Sequence, residues 1–321
     1  MRWVTSRMSN DERGVVAVLV AILMVVLLGC AAISVDIGAN YVVKRQLQNG
    51  ADAAALAVAQ ESDCKAGSSA SSVSSLVQAN VNSSSAASAA VIDGVKRKVT
   101  VTASAVGDDG LAGRRNVFAP VLGVDRSEIS ASATASCVFP LGGTAELPLT
   151  FHKCHFDESR SLGVKILVAY NVTAPRCNGV TGNAAPGNFG WLQGANGRCP
   201  AKIDAAVYAT PGDTGNNIPG PCKDTIKQFQ NAVVRVPIYD VAGGTGSGGW
   251  FHVVGLAAFK IQGYRLSGNP EFNWNNDVHG ALSCTGSCRG IIGTFVKIVS
   301  LDSDLTPGGI DFGVSTISLL D

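Results

Sequence analysis

VVAVLVAILMVVLLGCAAISV (Val15–Val35) runs without a break into DIGANYVVKRQLQNGADAAALAVAQ (Asp36–Gln60). The first stretch carries no charge. At 1.5 Å rise per residue it covers about 30 Å, the hydrocarbon thickness of a bilayer. The second stretch lies where a membrane protein ordinarily turns polar, yet it stays small and alanine-rich. Val43, Leu47, Ala51, Ala54 and Val58 recur at spacings of three or four, so they share one helical face. Lys44, Gln48 and Asp52 follow at intervals of four on another face. The period predicts one continuous helix that leaves the bilayer and turns amphipathic. Leu47, Ala51, Ala54 and Val58 are its expected packing residues. Small side chains let backbones approach closely. Either the following part of the chain or a neighbouring subunit would cover them.

Two other readings of Val15–Val35 compete, a cleaved signal peptide and a buried soluble helix. A signal peptide has a shorter apolar core and a small-residue cleavage site. Ala31-Ala32-Ile33-Ser34 matches that site poorly, and the helical pattern continues past it. Arg2, Arg7 and Arg13 precede the span, and Lys44 and Arg45 follow it, a bias that favours a cytoplasmic N-terminus.

Composition narrows the function classes. Lys+Arg total 25 and Asp+Glu 24, and charged residues are 15% of the chain, against roughly 25% in an ordinary soluble domain. No clustered basic face points to nucleic acid. Of nine cysteines, Cys30 lies in the apolar span. The other eight, Cys64, Cys137, Cys154, Cys177, Cys199, Cys222, Cys284 and Cys288, all follow it. An even set in a Gly-rich region suggests four disulfides and an oxidising compartment; free buried thiols in a cytosolic domain are the alternative. The pairing expected is Cys64–Cys137, Cys154–Cys222, Cys177–Cys199 and Cys284–Cys288, the last two because they close short loops.

The chain then divides as follows. Residues 1–14 read as a cytoplasmic tail, 15–35 as a transmembrane helix, 36–139 as helix plus small α+β stalk, and 140–321 as a β-rich extracytoplasmic domain. Within the stalk, a Ser/Ala-rich linker holds a short helix near 70–81. Val91–Val106 alternates as a strand, Arg114–Gly123 reads as a short helix, and Ser127–Phe139 alternates again. Beyond Pro140 the strand candidates are 164–170, 206–208, 232–238, 250–263, 291–299 and 314–319, with a short helix at 225–231. Gly243–Gly249 is expected to be a hairpin loop. The class is α+β: a long N-terminal helix, a small stalk, and a sandwich-like or barrel-like disulfide-bonded domain.

No catalytic constellation stands out. His152, Cys154 and His155, with Asp157 and Glu158, are possible metal ligands but lack a distant partner. Asp213-Thr214-Gly215 has the aspartic-protease tripeptide without its second copy. The glycine run lacks the Lys-Ser/Thr of a phosphate loop. Asp302, Asp304 and Asp311 do not match a calcium loop. His252 and His279 have no partner signature, and Cys284–Cys288 is not a redox C-x-x-C. Neither cofactor nor catalytic residue is expected.

Asp11-Glu12-Arg13-Gly14, the apolar span, Val35-Asp36-Ile37-Gly38, Tyr41, Arg45 and Leu47–Ala57 together resemble the N-terminal module of Flp (Tad) pilus-assembly TadE/TadG-like proteins. Phe118–Gly123 and Ile129–Thr134 resemble the rest of a TadG-type stalk, and the region around Gly187–Leu192 resembles some actinobacterial members. The resemblance implies a bitopic envelope protein of tight-adherence pilus assembly or anchoring. Its partners would be the lipid bilayer, other Tad components or pilin, and a second copy of itself. Pilins carry Glu five residues after the cleaved Gly; here Leu19 stands there, which disfavours processing and fits the TadG side. Gly50 replaces the commoner Ala, at a helix cost of about 1 kcal/mol. A surface adhesin with Trp191, Trp250 and Trp274 as its platform is the second reading, and an anchored hydrolase the third.

Overall fold

The computed structural model describes residues 12–65, 72–81, 85–158, 162–170, 189–194, 197–215, 217–267, 271–274, 288–300 and 302–320. Expectations for the N-terminal tail and for Cys177, His279 and Cys284 lie outside them. The chain divides into two compact units, Met1–Ala135 with Leu319–Asp321, and Ser136–Ser318.

The first unit is built on α1 (Glu12–Ser62), one unbroken helix of 51 residues, about 76 Å long. Its apolar part, through Val35, is exposed on nearly all sides and is long and apolar enough to cross a membrane. Burial begins at Asp36. From there Val43, Leu47, Ala51, Ala54, Ala55, Val58 and Ala59 are withdrawn from solvent. They pack against α2 (Val73–Ala79) and against a sheet in which β1 (Ser85–Asp93), β2 (Lys98–Val106) and β3 (Ser130–Val138) are neighbours in that order. Strand β2 buries Val99, Val101, Ala103 and Ala105, and β3 buries Ala131, Ala133 and Ala135. Alternation places these small side chains on one face, so helix and sheet approach closely.

The single strand expected over 91–106 is instead a hairpin. β1 pairs with β2 along its whole length, from Ser85↔Val106 to Asp93↔Lys98. Asp93 Oδ1 accepts from the backbone N–H of Val95 and Lys96 (3.1 and 2.9 Å), and Arg97 takes φ 54° to close the turn. Asp-Gly at 93–94 is the sequence mark of such a turn.

The second unit is β-rich. Its elements are β4 (Pro140–Ala145), β5 (Leu149–His152), α3 (Lys153–Glu158), β6 (Lys165–Tyr170), β7 (Phe189–Leu192), β8 (Ala201–Ile203), β9 (Thr210–Asp213), α4 (Cys222–Gln228), β10 (Val233–Gly243), β11 (Gly249–Arg265), β12 (Arg289–Val296) and β13 (Val314–Leu320). The main sheet runs β9-β7-β5-β10-β11-β12-β6. Because β9 also pairs with β11, the strands β9, β7, β5, β10 and β11 close into a ring. Only β5–β10 within it is parallel. The 17-residue β11 reaches beyond the ring to pair with β12. Strand β4 lies in a separate three-stranded sheet with β8 and Thr306–Pro307. The core is aromatic: Phe151, Phe259 and Phe295 are fully buried, with Phe259 5.0 Å from each of the other two rings.

Gly243–Gly249 does join β10 to β11, with Gly243 opposite Trp250. The strand expected at 206–208 is a turn between β8 and β9. Asp204 Oδ1 accepts from the N–H of Ala206 (2.9 Å), and Asp204 O accepts from Val207 (3.0 Å), which bends the chain there.

Candidate functional site

The stretch of α1 that follows its apolar half is held by a set of polar contacts. Asp36 is the first charged residue after the span and is buried. Its carboxylate accepts backbone N–H groups from Val117 (2.9 Å), Phe118 (2.8 Å) and Ala119 (2.7 Å). Ala119 opens a 3-10 turn, Ala119–Leu122, and its N–H has no partner inside the turn. These bonds, that of Val117 foremost, outweigh burial and hold Asp36 below the usual carboxylate range, with the Arg114 guanidinium adding to them. A group with a lowered folded pKa adds stability above its ordinary pKa, and that stability is lost as pH falls through the folded value.

A polar chain continues from Asp36 up the helix. Arg114 Nη1 donates to Asn40 Oδ1 (3.1 Å), Asn40 Nδ2 to Ser127 Oγ (3.0 Å), and Ser127 Oγ to Asn116 Oδ1 (3.0 Å). Asn116 Nδ2 closes the set on Val124 O (3.0 Å). Arg114–Arg115 pairs with Arg126–Ser127 as a short ladder that presents these side chains together. Composition and period missed this cluster. The signal that could have found it was a carboxylate directly at the end of an apolar span, a place where burial requires partners.

Next comes the packing face. Leu47, Ala51, Ala54 and Val58 are all fully buried inside the first unit. A Cβ on Gly50 would lie 3.0 Å from Val77 Cα and 3.2 Å from Val77 O. The missing side chain is what lets α2 come this close. Gln48 Nε2 donates to Asp52 Oδ1 (2.8 Å) and to Ser132 O (3.2 Å), tying the polar face of α1 to β3.

In the second unit the chemistry-bearing side chains are spread out. His152 Nδ1 accepts from the Cys154 backbone N–H (3.2 Å), so Nε2 carries the proton and donates to Asp240 O (3.1 Å). His155 is buried, and burial, with the neighbouring His152, pushes its pKa down to about 3. Asp213 Oδ1 caps its own loop by accepting from Gly215 N (2.8 Å). Asp302 faces Arg235 (2.6 Å), Asp304 accepts from Thr144 N (2.8 Å), and Asp311 accepts from Gly313 N (3.1 Å), so each serves a different loop. Among the described residues no three His, Cys, Asp or Glu side chains gather as metal ligands.

His252, which the sequence left without a partner, bonds Asp240 Oδ1 through Nδ1 (2.6 Å) and stacks on Tyr208 at 4.1 Å. These rings border a groove of about 400 Å³ lined also by Leu141, Val207, Val254 and Ile310. Of the three tryptophans expected as a platform, Trp191 is fully buried in the core. Trp274 packs against Leu167, Ala169 and Ile292. Trp250 lies half-buried beside Tyr208 (6.2 Å).

Cys64, Cys137, Cys154, Cys199, Cys222 and Cys288 are disulfide-bonded. The bond Cys199–Cys222, with Cα atoms 4.7 Å apart, replaces both expected pairs Cys154–Cys222 and Cys177–Cys199. Its sequence separation is 23, against 22 for Cys177–Cys199 (199 − 177). Closure entropy does not distinguish two loops so alike in length. Tertiary packing decides instead, through the core that holds Cys199, Ile218, Cys222 and Ile226 together. Cys30 is the free cysteine among the described residues.

Residues 14–61 match the family model described as putative Flp pilus-assembly TadE/G-like (Tad). That match covers the long helix and ends one residue before it does. No curated protein and no solved structure matches the chain.

Proposed function

We propose that a chain whose residues 14–61 form a Tad domain serves the assembly or anchoring of a Flp (tight-adherence) pilus. It is TadG-like, of actinobacterial type, and acts without catalysis as a single-pass protein of the cell membrane. Its N-terminus is cytoplasmic and its bulk extracytoplasmic. The observation that carries this reading is α1 itself: apolar and bare through Val35, then packed from Asp36 onward in one unbroken helix. A signal peptide is discarded after cleavage, whereas here the same helix forms the spine of the first unit. The Cys199–Cys222 bond supports an oxidising side for the second unit. Partners are the bilayer, other Tad components or pilin, and a second copy of the chain.

Deleting the gene tests the reading. Loss of Flp pili and of surface adherence, both restored by the wild-type gene, is the expected outcome. A deletion strain with normal pili overturns it.

A second reading, a surface-binding module on a Tad-type anchor, is favoured by the groove beside Tyr208 and His252. It predicts that Tyr208→Ala abolishes adherence of cells to the bound surface while leaving pilus number unchanged. Reduced pilus number in that variant favours the assembly role.

A further inference from the structure

We propose that the loop Val117–Val124 is a second membrane contact of this chain, seated in the interfacial layer of the leaflet from which α1 emerges. The inference rests on the reading of α1 as a membrane span and adds to it a site of lipid contact.

Height comes first. Val15–Val35 fills about 30 Å of hydrocarbon, so Asp36 marks the boundary with the headgroups. Three backbone amides of the loop lie within 2.9 Å of the Asp36 carboxylate. The loop is therefore fixed at the level of that boundary.

Its side chains face the wrong way for water. Val121 is 90% exposed, Leu122 68%, Val117 63% and Phe118 44%. Polar groups lie on the inner side, where Asn116 and Asp36 satisfy the loop backbone. The loop also closes on itself, through Val124 N to Ala119 O (3.1 Å) and Gly123 N to Pro120 O (3.0 Å), with Gly123 at φ 80°. Contiguous apolar patches of this kind are rare on monomeric soluble surfaces.

The surroundings match an interface. On α1 the exposed Val35, Ile37, Tyr41 and Val42 continue the apolar surface of the span past Asp36. Tyr41 lies under the Arg45 guanidinium, 5.0 Å from ring centroid to Cζ. Arg115 is an exposed cation beside the loop, and Lys44 and Arg45 are exposed cations about two turns further along α1. An aromatic ring and basic side chains just outside an apolar span are the usual occupants of this layer.

Cys30 allows a clean test, since replacing it removes the free thiol found among the described residues. In a Cys30→Ala background, Val121→Cys and Val95→Cys each receive an NBD dye on the full chain. Val95 is the reference: it lies in the β1–β2 turn, and its exposure is 95%. β2 runs from that turn back to the loop region, where Ala105 N meets Ile129 O. The turn is thus at the far end of the sheet from Asp36. A third sample carries the dye on native Cys30. All are reconstituted in phosphatidylcholine–phosphatidylglycerol vesicles bearing nitroxides near the headgroup or near the chain end.

The dye at 121 should be quenched several-fold more than the dye at 95 by the shallow nitroxide, and shielded from aqueous iodide. Asp36→Ala should bring the two positions together. Equal quenching at 121 and 95, with Cys30 quenched by the deep nitroxide, overturns the loop contact and leaves the span standing. Absence of quenching at Cys30 overturns the span and this inference with it. Shielding from iodide without lipid quenching assigns the patch to a protein partner and also overturns it. Unchanged quenching in Asp36→Ala refutes Asp36 as what sets the loop's height.

Discussion

Gly50 shows how one missing methyl group sets a whole contact. Glycine inside a helix costs about 1 kcal/mol against alanine, and its cause here is the Val77 backbone 3.0 Å from where a Cβ would stand. Gly50→Ala regains the propensity and loses some of it to that crowding, so its unfolding free energy should stay within about 1 kcal/mol of wild type. Gly50→Leu has no room and should lose about 3 kcal/mol or more, read from urea unfolding in detergent. Equal stability of the leucine variant would refute the close approach of α2. His155 makes a different prediction. Its pKa of about 3 lies below the ordinary 6.5, so the unfolded chain binds a proton that the folded chain refuses. Stability is full above pH 6.5 and is lost as pH falls toward 3. Between pH 7 and pH 5 this amounts to about 2 kcal/mol. Tryptophan fluorescence reports it, since Trp191, Trp250 and Trp274 lie in the second unit. His155→Phe should flatten that dependence, and an unchanged pH slope in the variant would exclude His155 as its source.

Elements formed where the sequence carried contrast and hid where it did not. The period of Val43, Leu47, Ala51, Ala54 and Val58 was legible because apolar and polar residues alternate around α1. The β10–β11 hairpin was legible from its glycine run between apolar strands. β1 was not: SAASAAVID offers small residues on both faces, so its two-residue period has almost no hydrophobic signal. It is held by its full-length pairing with β2 and by Ala86 N donating to Gln78 Oε1 (3.0 Å). The α1 face itself is closed by elements of its own unit, α2 and β2. Ala51→Leu with Ala54→Leu therefore overfills a finished interface, at about 1–3 kcal/mol for each substitution. The expected result is retained membrane insertion with protease cleavage appearing at the 72–81 segment. Resistance equal to wild type would show that the face tolerates bulk and is not tightly packed.

On the scale of the whole molecule, each unit reaches stability by different means. The first gathers small side chains around one long helix. The second closes a strand ring, packs Phe151, Phe259 and Phe295 in an aromatic core, and ties α4 to the segment before β8 through Cys199–Cys222. Which cysteine met which was not legible, because near-equal loop lengths carry near-equal closure entropy and the core that holds Cys199 beside Cys222 is a tertiary fact. A bond closing a loop of this size contributes about 3 kcal/mol. Cys199→Ala with Cys222→Ala should lower unfolding free energy by about that much, and Cys222→Ala alone should in addition leave Cys199 as a buried free thiol that reacts with thiol reagents once the chain is denatured. The same chemistry reports the compartment. If all eight cysteines after the span are oxidised in the cell, chain denatured without reductant should take up thiol reagent at Cys30 alone. Labelling at several positions would place the second unit in a reducing compartment, opposite to the extracytoplasmic placement proposed for it.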